Sequence, residues 1–169
     1  GDLTLRAKGK IRSEGEIFPA LSARLAVKLP TADEDLAFGT GEVDWGLGIL
    51  LEKDLTKKIT VYGNADVIFP GDAFDDAEVS LREFYAFMVA TEYRFTERFS
   101  AVAQMDWTTK PFQDSDLDML DRRIIDLLIG LTYCTRGGIF IQTGGVEDIF
   151  DSTEAGADFT FFLNVGARF

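Results

Sequence analysis

Residues 159–169 read Phe159-Thr160-Phe161-Phe162-Leu163-Asn164-Val165-Gly166-Ala167-Arg168-Phe169, and every second residue counted back from Phe169 is apolar. In an extended chain Phe159, Phe161, Leu163, Val165, Ala167 and Phe169 share one face, while Thr160, Phe162, Asn164, Gly166 and Arg168 share the other. A helix would scatter this period around its axis, so the stretch is assigned to a β-strand. Its length suits a strand crossing a bilayer, with the apolar side toward lipid and the mostly polar or small side toward an interior.

The same alternation returns in nine segments, with odd-numbered positions apolar nearly throughout. Leu3, Leu5, Ala7 and Ile11 alternate with Thr4, Arg6, Lys8, Lys10 and Arg12; Leu21, Ala23, Leu25, Val27 and Leu29 alternate with Ser22, Arg24, Ala26 and Lys28. Val43, Trp45, Leu47, Ile49 and Leu51 then face away from Asp44, Gly46, Gly48 and Glu52, and Ile59, Val61, Ala65, Val67 and Phe69 face away from Thr60, Asn64 and Asp66. Segments 85–95, 99–107 and 125–133 repeat the pattern. Segment 139–149 is the least regular, because the Gly144-Gly145 pair is a natural place for a bulge that would change the facing of Glu147 and Asp148.

Composition alone does not decide between water and lipid. The 169 residues point to a single domain over 1–169. Hydrophobic content is 46%, and mean hydropathy is +0.03. The longest apolar stretch, 124–133, is broken by Asp126 and is too short for a membrane helix. A spanning barrel shows only weak hydropathy, because half of each strand faces a polar interior. Connection lengths add to the case: 13–16, 54–57, 96–98 and 135–137 read as tight periplasmic turns, and 30–42, 70–82, 110–122 and 150–157 as long outer loops. Trp45, Trp107, Phe69, Tyr85 and Phe159 fall at the outer strand ends, and Tyr93, Phe95, Phe99, Tyr133 and Phe169 at the periplasmic ends, as interfacial aromatic belts require. The competing reading is a soluble all-β sandwich or lipocalin-like barrel, in which the small and charged residues form the exposed face.

Inside such a barrel the charges separate by sign. Arg6, Lys8, Lys10, Arg24 and Lys28 come from the first two strands and make a basic wall. Asp44, Asp66, Glu92, Asp106 and Asp126 make an acidic wall. Opposed across a pore, the walls set a transverse field; paired across a narrow interior, they plug it. The net charge of −12 comes largely from the outer loops, including Asp33, Glu34, Asp35, Asp72, Asp75, Asp76, Glu78, Asp121 and Asp151, and it argues against a nucleic-acid partner.

Chemistry is sparse. The chain has no histidine, and with Cys134 as its one cysteine it forms no intrachain disulfide. Gly39-Thr40-Gly41 lacks the third glycine of a dinucleotide-binding turn. Glu147-Asp148 are adjacent on a strand and point to opposite faces, which suits neither a general acid nor a general base. Asp114, Asp116 and Asp118 open like a calcium loop, but Met119 and Ile125 occupy the required glycine and glutamate positions, leaving at most loose divalent bridging to lipopolysaccharide. The expectation is a non-enzyme with no cofactor and no metal site.

The runs Ala23-Arg24-Leu25-Ala26-Val27-Lys28-Leu29-Pro30-Thr31, Gly39-Thr40-Gly41-Glu42-Val43-Asp44 and Val61-Tyr62-Gly63-Asn64 resemble the K-x-P-T-G, G-T-G-x-x-D and Y-x-N motifs of outer-membrane barrels regarded as transporters. These include the group named for the MetA pathway of phenol degradation and, closer here, a related bacterial outer-membrane family of unknown function, whose close is similar to Val146-Glu147-Asp148-Ile149 followed by Asp158-Phe159-Thr160-Phe161. Ala32 departs from the glycine usual after Pro-Thr. The ending on Phe161, Leu163, Val165 and Phe169 also resembles the signal by which bacterial barrels are recognised for assembly. The resemblance implies an outer-membrane location, a lipid and lipopolysaccharide environment, engagement of the assembly machinery, and passive passage of a small solute, with a hint of apolar or aromatic compounds. A non-conducting structural or adhesion barrel, its acidic loops binding ions or a partner, is the alternative.

Family members are longer at the N-terminus. With Phe169 in the periplasm, nine strands would start strand one outside the cell, whereas bacterial barrels hold an even number. The expectation is therefore the C-terminal part of a roughly twelve-stranded antiparallel barrel, lacking about three strands. The alternative is an eight-stranded barrel from Ile17 onward, with residues 1–16 in the lumen or periplasm, which also keeps the count even.

Overall fold

The computed structural model describes residues 1–32, 41–71, 80–110, 112–113, 124–149 and 159–167. Phe169, the three loop aspartates 114, 116 and 118, and the acidic outer-loop residues named above lie outside them. The strands are β1 (Leu3–Arg12), β2 (Ala20–Leu29), β3 (Asp44–Asp54), β4 (Ile59–Phe69), β5 (Ser80–Leu81), β6 (Phe84–Arg94), β7 (Phe99–Thr108), β8 (Phe112–Gln113), β9 (Ile124–Cys134), β10 (Ile139–Asp148) and β11 (Phe159–Ala167). Nine of them form one antiparallel sheet in the order β1-β2-β3-β4-β6-β7-β9-β10-β11. The sheet is open: β1 and β11 are its edges. β1 pairs with β2 along its length, so residues 3–12 belong to the wall, and the reading that sets residues 1–16 in the lumen or periplasm is corrected. The two-residue strands β5 and β8 pair with each other and tie together two connections that the sequence reads as plain loops.

Burial in this sheet is the reverse of a water-soluble core. Among the described residues the buried side chains are small or polar: Ser22, Thr60, Ala90 and Ser100. The large apolar residues at odd positions stand outside, with Val89 61%, Ile129 61% and Val165 69% exposed. Each such side chain left in water forgoes about 1.5–3 kcal/mol, and a sheet of them would outweigh the ~5–15 kcal/mol net stability of a domain. The face is therefore built for an apolar solvent, and the backbone groups behind it find their partners in the sheet ladder.

The register also sets the tilt. One ladder rung runs Ser22–Leu50–Asn64–Met88–Asp106–Asp126–Asp148 through the successive strand pairs. It begins two residues above Ala20, the short-turn end of β2, and ends nine residues above Ile139, the short-turn end of β10. The climb of seven residues over six strand steps, at ~3.3 Å per residue and ~4.8 Å per strand, corresponds to a tilt of about 40°. A closing barrel requires a tilt of about 35–45°.

Two local readings are settled by register. Pairing through Gly144 and Gly145 is continuous with both neighbours, so there is no bulge there: Glu147 faces outward and Asp148 inward. The irregularity lies instead between Lys10 and Arg12, which brings Arg12 opposite outward-facing Leu21. Its guanidinium sits 4.9 Å from the centroid of the Phe18 ring, which corrects its expected place on the interior face.

The turn ends repeat one device. Thr56 Oγ1 accepts from the N–H groups of Lys58 and Ile59, and Thr96 Oγ1 accepts from those of Arg98 and Phe99, each at 3.0–3.2 Å. Thr135 Oγ1 accepts from Ile139 N–H in the third, where Gly138 takes a positive φ of 81°. These hydroxyls satisfy turn amides that no strand partner reaches.

Val89 lies at mid-height on the apolar face. Val89→Arg is expected to lower stability in phospholipid vesicles by about 2–4 kcal/mol, and its inward neighbour Met88→Arg by much less. Equal losses in denaturant titrations would contradict the assignment of faces.

Candidate functional site

The even-numbered residues of neighbouring strands share the sheet's inner face, and the ion pairs lie there. Arg24 and Asp66 are joined by two bonds, Nη2 to Oδ2 at 2.6 Å and Nε to Oδ1 at 3.1 Å. They sit on β2 and β4, with β3 between them, and the residue of β3 on the same rung is Gly48. A Cβ at position 48 would run into the Asp66 carboxylate and reach 3.5 Å from Arg24 Nε. The missing side chain is what lets the pair close across the intervening strand.

Nearer the loop end Lys28 Nζ lies 2.7 Å from Asp44 and 3.6 Å from Asp2. Asp44 also accepts from Gly71 N–H, and Asp2 from Ala32 N–H, so these charges fasten the start of β1 and the ends of β2, β3 and β4 together. At the turn end Thr60, wholly buried, donates to Asp54 and accepts from Arg94, which also bridges to Asp54 at 3.2 Å and lies 3.9 Å from Glu92. Glu92 accepts from the Tyr62 hydroxyl at 2.8 Å.

The expected walls are thus joined in part. Arg24 and Lys28 of the basic set meet Asp66 and Asp44 of the acidic set as neighbours along the sheet, not as opponents across an interior. Among the described residues Arg6, Lys8 and Lys10 form no ion pair. Asp106 accepts from Gln104 at 2.7 Å and stands beside Asp126, which in turn stands beside Asp148, three carboxylates on one rung. Like charges directly opposed in a sheet are unfavourable. No group of three or more potential metal ligands forms among the described residues.

The sequence reading missed the apolar part of this face. The Phe162 ring lies against Gly144 and Gly130, and the Phe140 ring against Gly166. Here too a glycine gives a neighbour's long side chain a place along the wall. Phe161, Leu163 and Val165 of the expected assembly signal stand on the outward face, 64–69% exposed. Cys134 is a half-buried free thiol at the turn end of β9. Clefts on the inner face include one of about 500 Å³ beside Lys8, Lys10, Ser22, Asn64 and Met88, one of about 380 Å³ around Arg94, Thr132 and Cys134, and one of about 220 Å³ beside Arg6, Arg24 and Asp66.

Gly48→Ala is expected to separate Arg24 from Asp66 and cost about 1–3 kcal/mol. In an Asp66→Ala background the same change is expected to cost far less, because the clash is gone. A double-mutant cycle by unfolding in vesicles reads this, and an unchanged cost would rule out the role given to Gly48.

The arrangement can be compared with known proteins. The COG4313 outer membrane channel from Pseudomonas putida F1 shares the fold with a TM-score of 0.76 at 21% identity, over 97% of this chain and 64% of that one. The chain therefore spans 64% of the length of that channel, and the likeness is one of fold. No curated protein matches the sequence. Neither the fold likeness nor the family match carries the tie to transporters named for phenol degradation. Residues 1–169 match the family described as Protein of unknown function (DUF3187), and the chain belongs to that family.

Proposed function

We propose that this chain forms most of the wall of an outer-membrane β-barrel channel that passes small solutes passively. The carrying observation is that the inner face is tied sideways. Among the described residues every ion pair between strands joins strands with at most one other between them, as Arg24–Asp66 does across Gly48. Pairing along the wall leaves an interior open, whereas a plugged barrel needs pairs that reach across it. β1 and β11 run in the same direction, so antiparallel closure takes an odd number of further strands, and about three would give a roughly twelve-stranded barrel.

In this reading the odd face meets lipid and lipopolysaccharide, and the face of Phe161, Leu163 and Val165 meets the assembly machinery. The protein is not an enzyme and takes no nucleic acid or cofactor. Its selectivity comes from charge that has no ion-pair partner among the described residues: Arg6, Lys8 and Lys10 on one edge of the sheet, and Asp106 and Asp126 toward the other. Structural or adhesive service without conduction is the second reading, supported by the acidic outer loops of the sequence.

Single-channel recording of the native protein in a planar bilayer tests the proposal. Discrete ohmic steps are expected. Silence from protein shown by protease protection to be inserted would favour the structural barrel.

A further inference from the structure

Arg6, Lys8 and Lys10 succeed one another on the inner side of β1, opposite Ala26, Arg24 and Ser22. Their spacing along the strand is about 7 Å, two residues of rise. Arg24, the cation next to Lys8, is neutralised by Asp66, and among the described residues none of the three on β1 has a carboxylate partner. Lys8 and Lys10 border the cleft of about 500 Å³, which also presents Ser22 and Asn64 as uncharged polar groups and Leu50 and Met88 as an apolar floor. Glu52 is the one carboxylate on its boundary, against two ammonium groups. Ser22, Leu50, Asn64 and Met88 share one rung with Lys10, so charged, polar and apolar groups follow one another across the wall at a single level of the ladder.

We propose that Arg6, Lys8 and Lys10 form a ladder for small organic anions with a short apolar tail, the anionic group passing from cation to cation and the tail meeting the apolar floor of Leu50 and Met88 at the level of Lys8 and Lys10. The inference rests on the channel reading. An ammonium or guanidinium gives a carboxylate a charge-assisted hydrogen bond, and the next cation lies close enough that release from one rung and capture by the next need no excursion into bulk water. Multiple weak sites of this kind favour passage over retention. A doubly charged inorganic anion has no use for the apolar floor, which sets the ligand class.

The test is recording from the native protein in a planar bilayer, with butyrate as the probe and butyramide as its uncharged counterpart. Butyrate is expected to interrupt the chloride current reversibly, acetate to do so more weakly, and butyramide not at all. The Lys8→Gln/Lys10→Gln variant is expected to need at least about tenfold more butyrate for the same block, the loss of a charge-assisted bond, and the Lys8→Arg/Lys10→Arg variant to keep it. Equal block in the native protein and the glutamine variant overturns the ladder while the channel stands. Equal block by acetate and butyrate overturns the apolar floor and with it the ligand class. Inserted native protein that passes no current in any salt overturns the channel reading and the ladder together.

Discussion

A backbone surrounded by hydrocarbon has no water to bond to, and that constraint organises this molecule. The strands must satisfy one another, which forces long antiparallel neighbours, and the pleat then sorts side chains into two populations by parity alone. Leu47, Ile49, Val89 and Ile129 stand exposed on one side, and Ser22, Thr60 and Ser100 are buried on the other. Once the outside is given over to lipid, the inside is left for everything specific, and among the described residues the ion pairs between strands lie there or at a strand end.

Inner-face crowding is relieved by absent side chains. Gly48 lies beneath the Arg24–Asp66 bridge, Gly144 and Gly130 beneath the Phe162 ring, and Gly166 beneath Phe140. A glycine in a strand costs conformational entropy, and each of these returns the cost by letting a large neighbour lie against the wall. The result is a lining whose long side chains lean sideways. The exception is β1, where Arg6, Lys8 and Lys10 form no ion pair among the described residues, and that is what singles them out.

Most of the fold could be read from the chain, because its signal is a strict alternation that requires no partner to be known. The nine long strands, their facing and the positions of the turns follow from it, and even the ambiguous Gly144-Gly145 stretch keeps its parity. Arg12 escaped because an extra residue between Lys10 and Leu21's partner resets parity without leaving a mark in composition. The charge pairs escaped for another reason. Arg24 and Asp66 are brought together only by the register of three strands, and register is fixed by a tilt that no single strand encodes. Two walls read from sign therefore became partly one zipped seam. The flat-lying Phe162 belonged to a face expected to be polar or small, and its pairing with glycines two strands deep is again a matter of register. The threonine turns were legible and overlooked: Leu55-Thr56-Lys57-Lys58-Ile59 and Phe95-Thr96-Glu97-Arg98-Phe99 carry the same hydrogen bonds, 40 positions apart.

That repeat bears on how such a wall changes size. In these two hairpins the threonine hydroxyl caps amides of its own turn, a bond made entirely within the hairpin. A hairpin copied as a unit would insert with its faces already correct and would leave every other strand pointing as before, since two antiparallel strands restore the direction of travel. Circumference can therefore grow or shrink in pairs without rewriting the rest of the sequence. The even strand count of bacterial barrels then reads as the arithmetic of a structure enlarged by duplication.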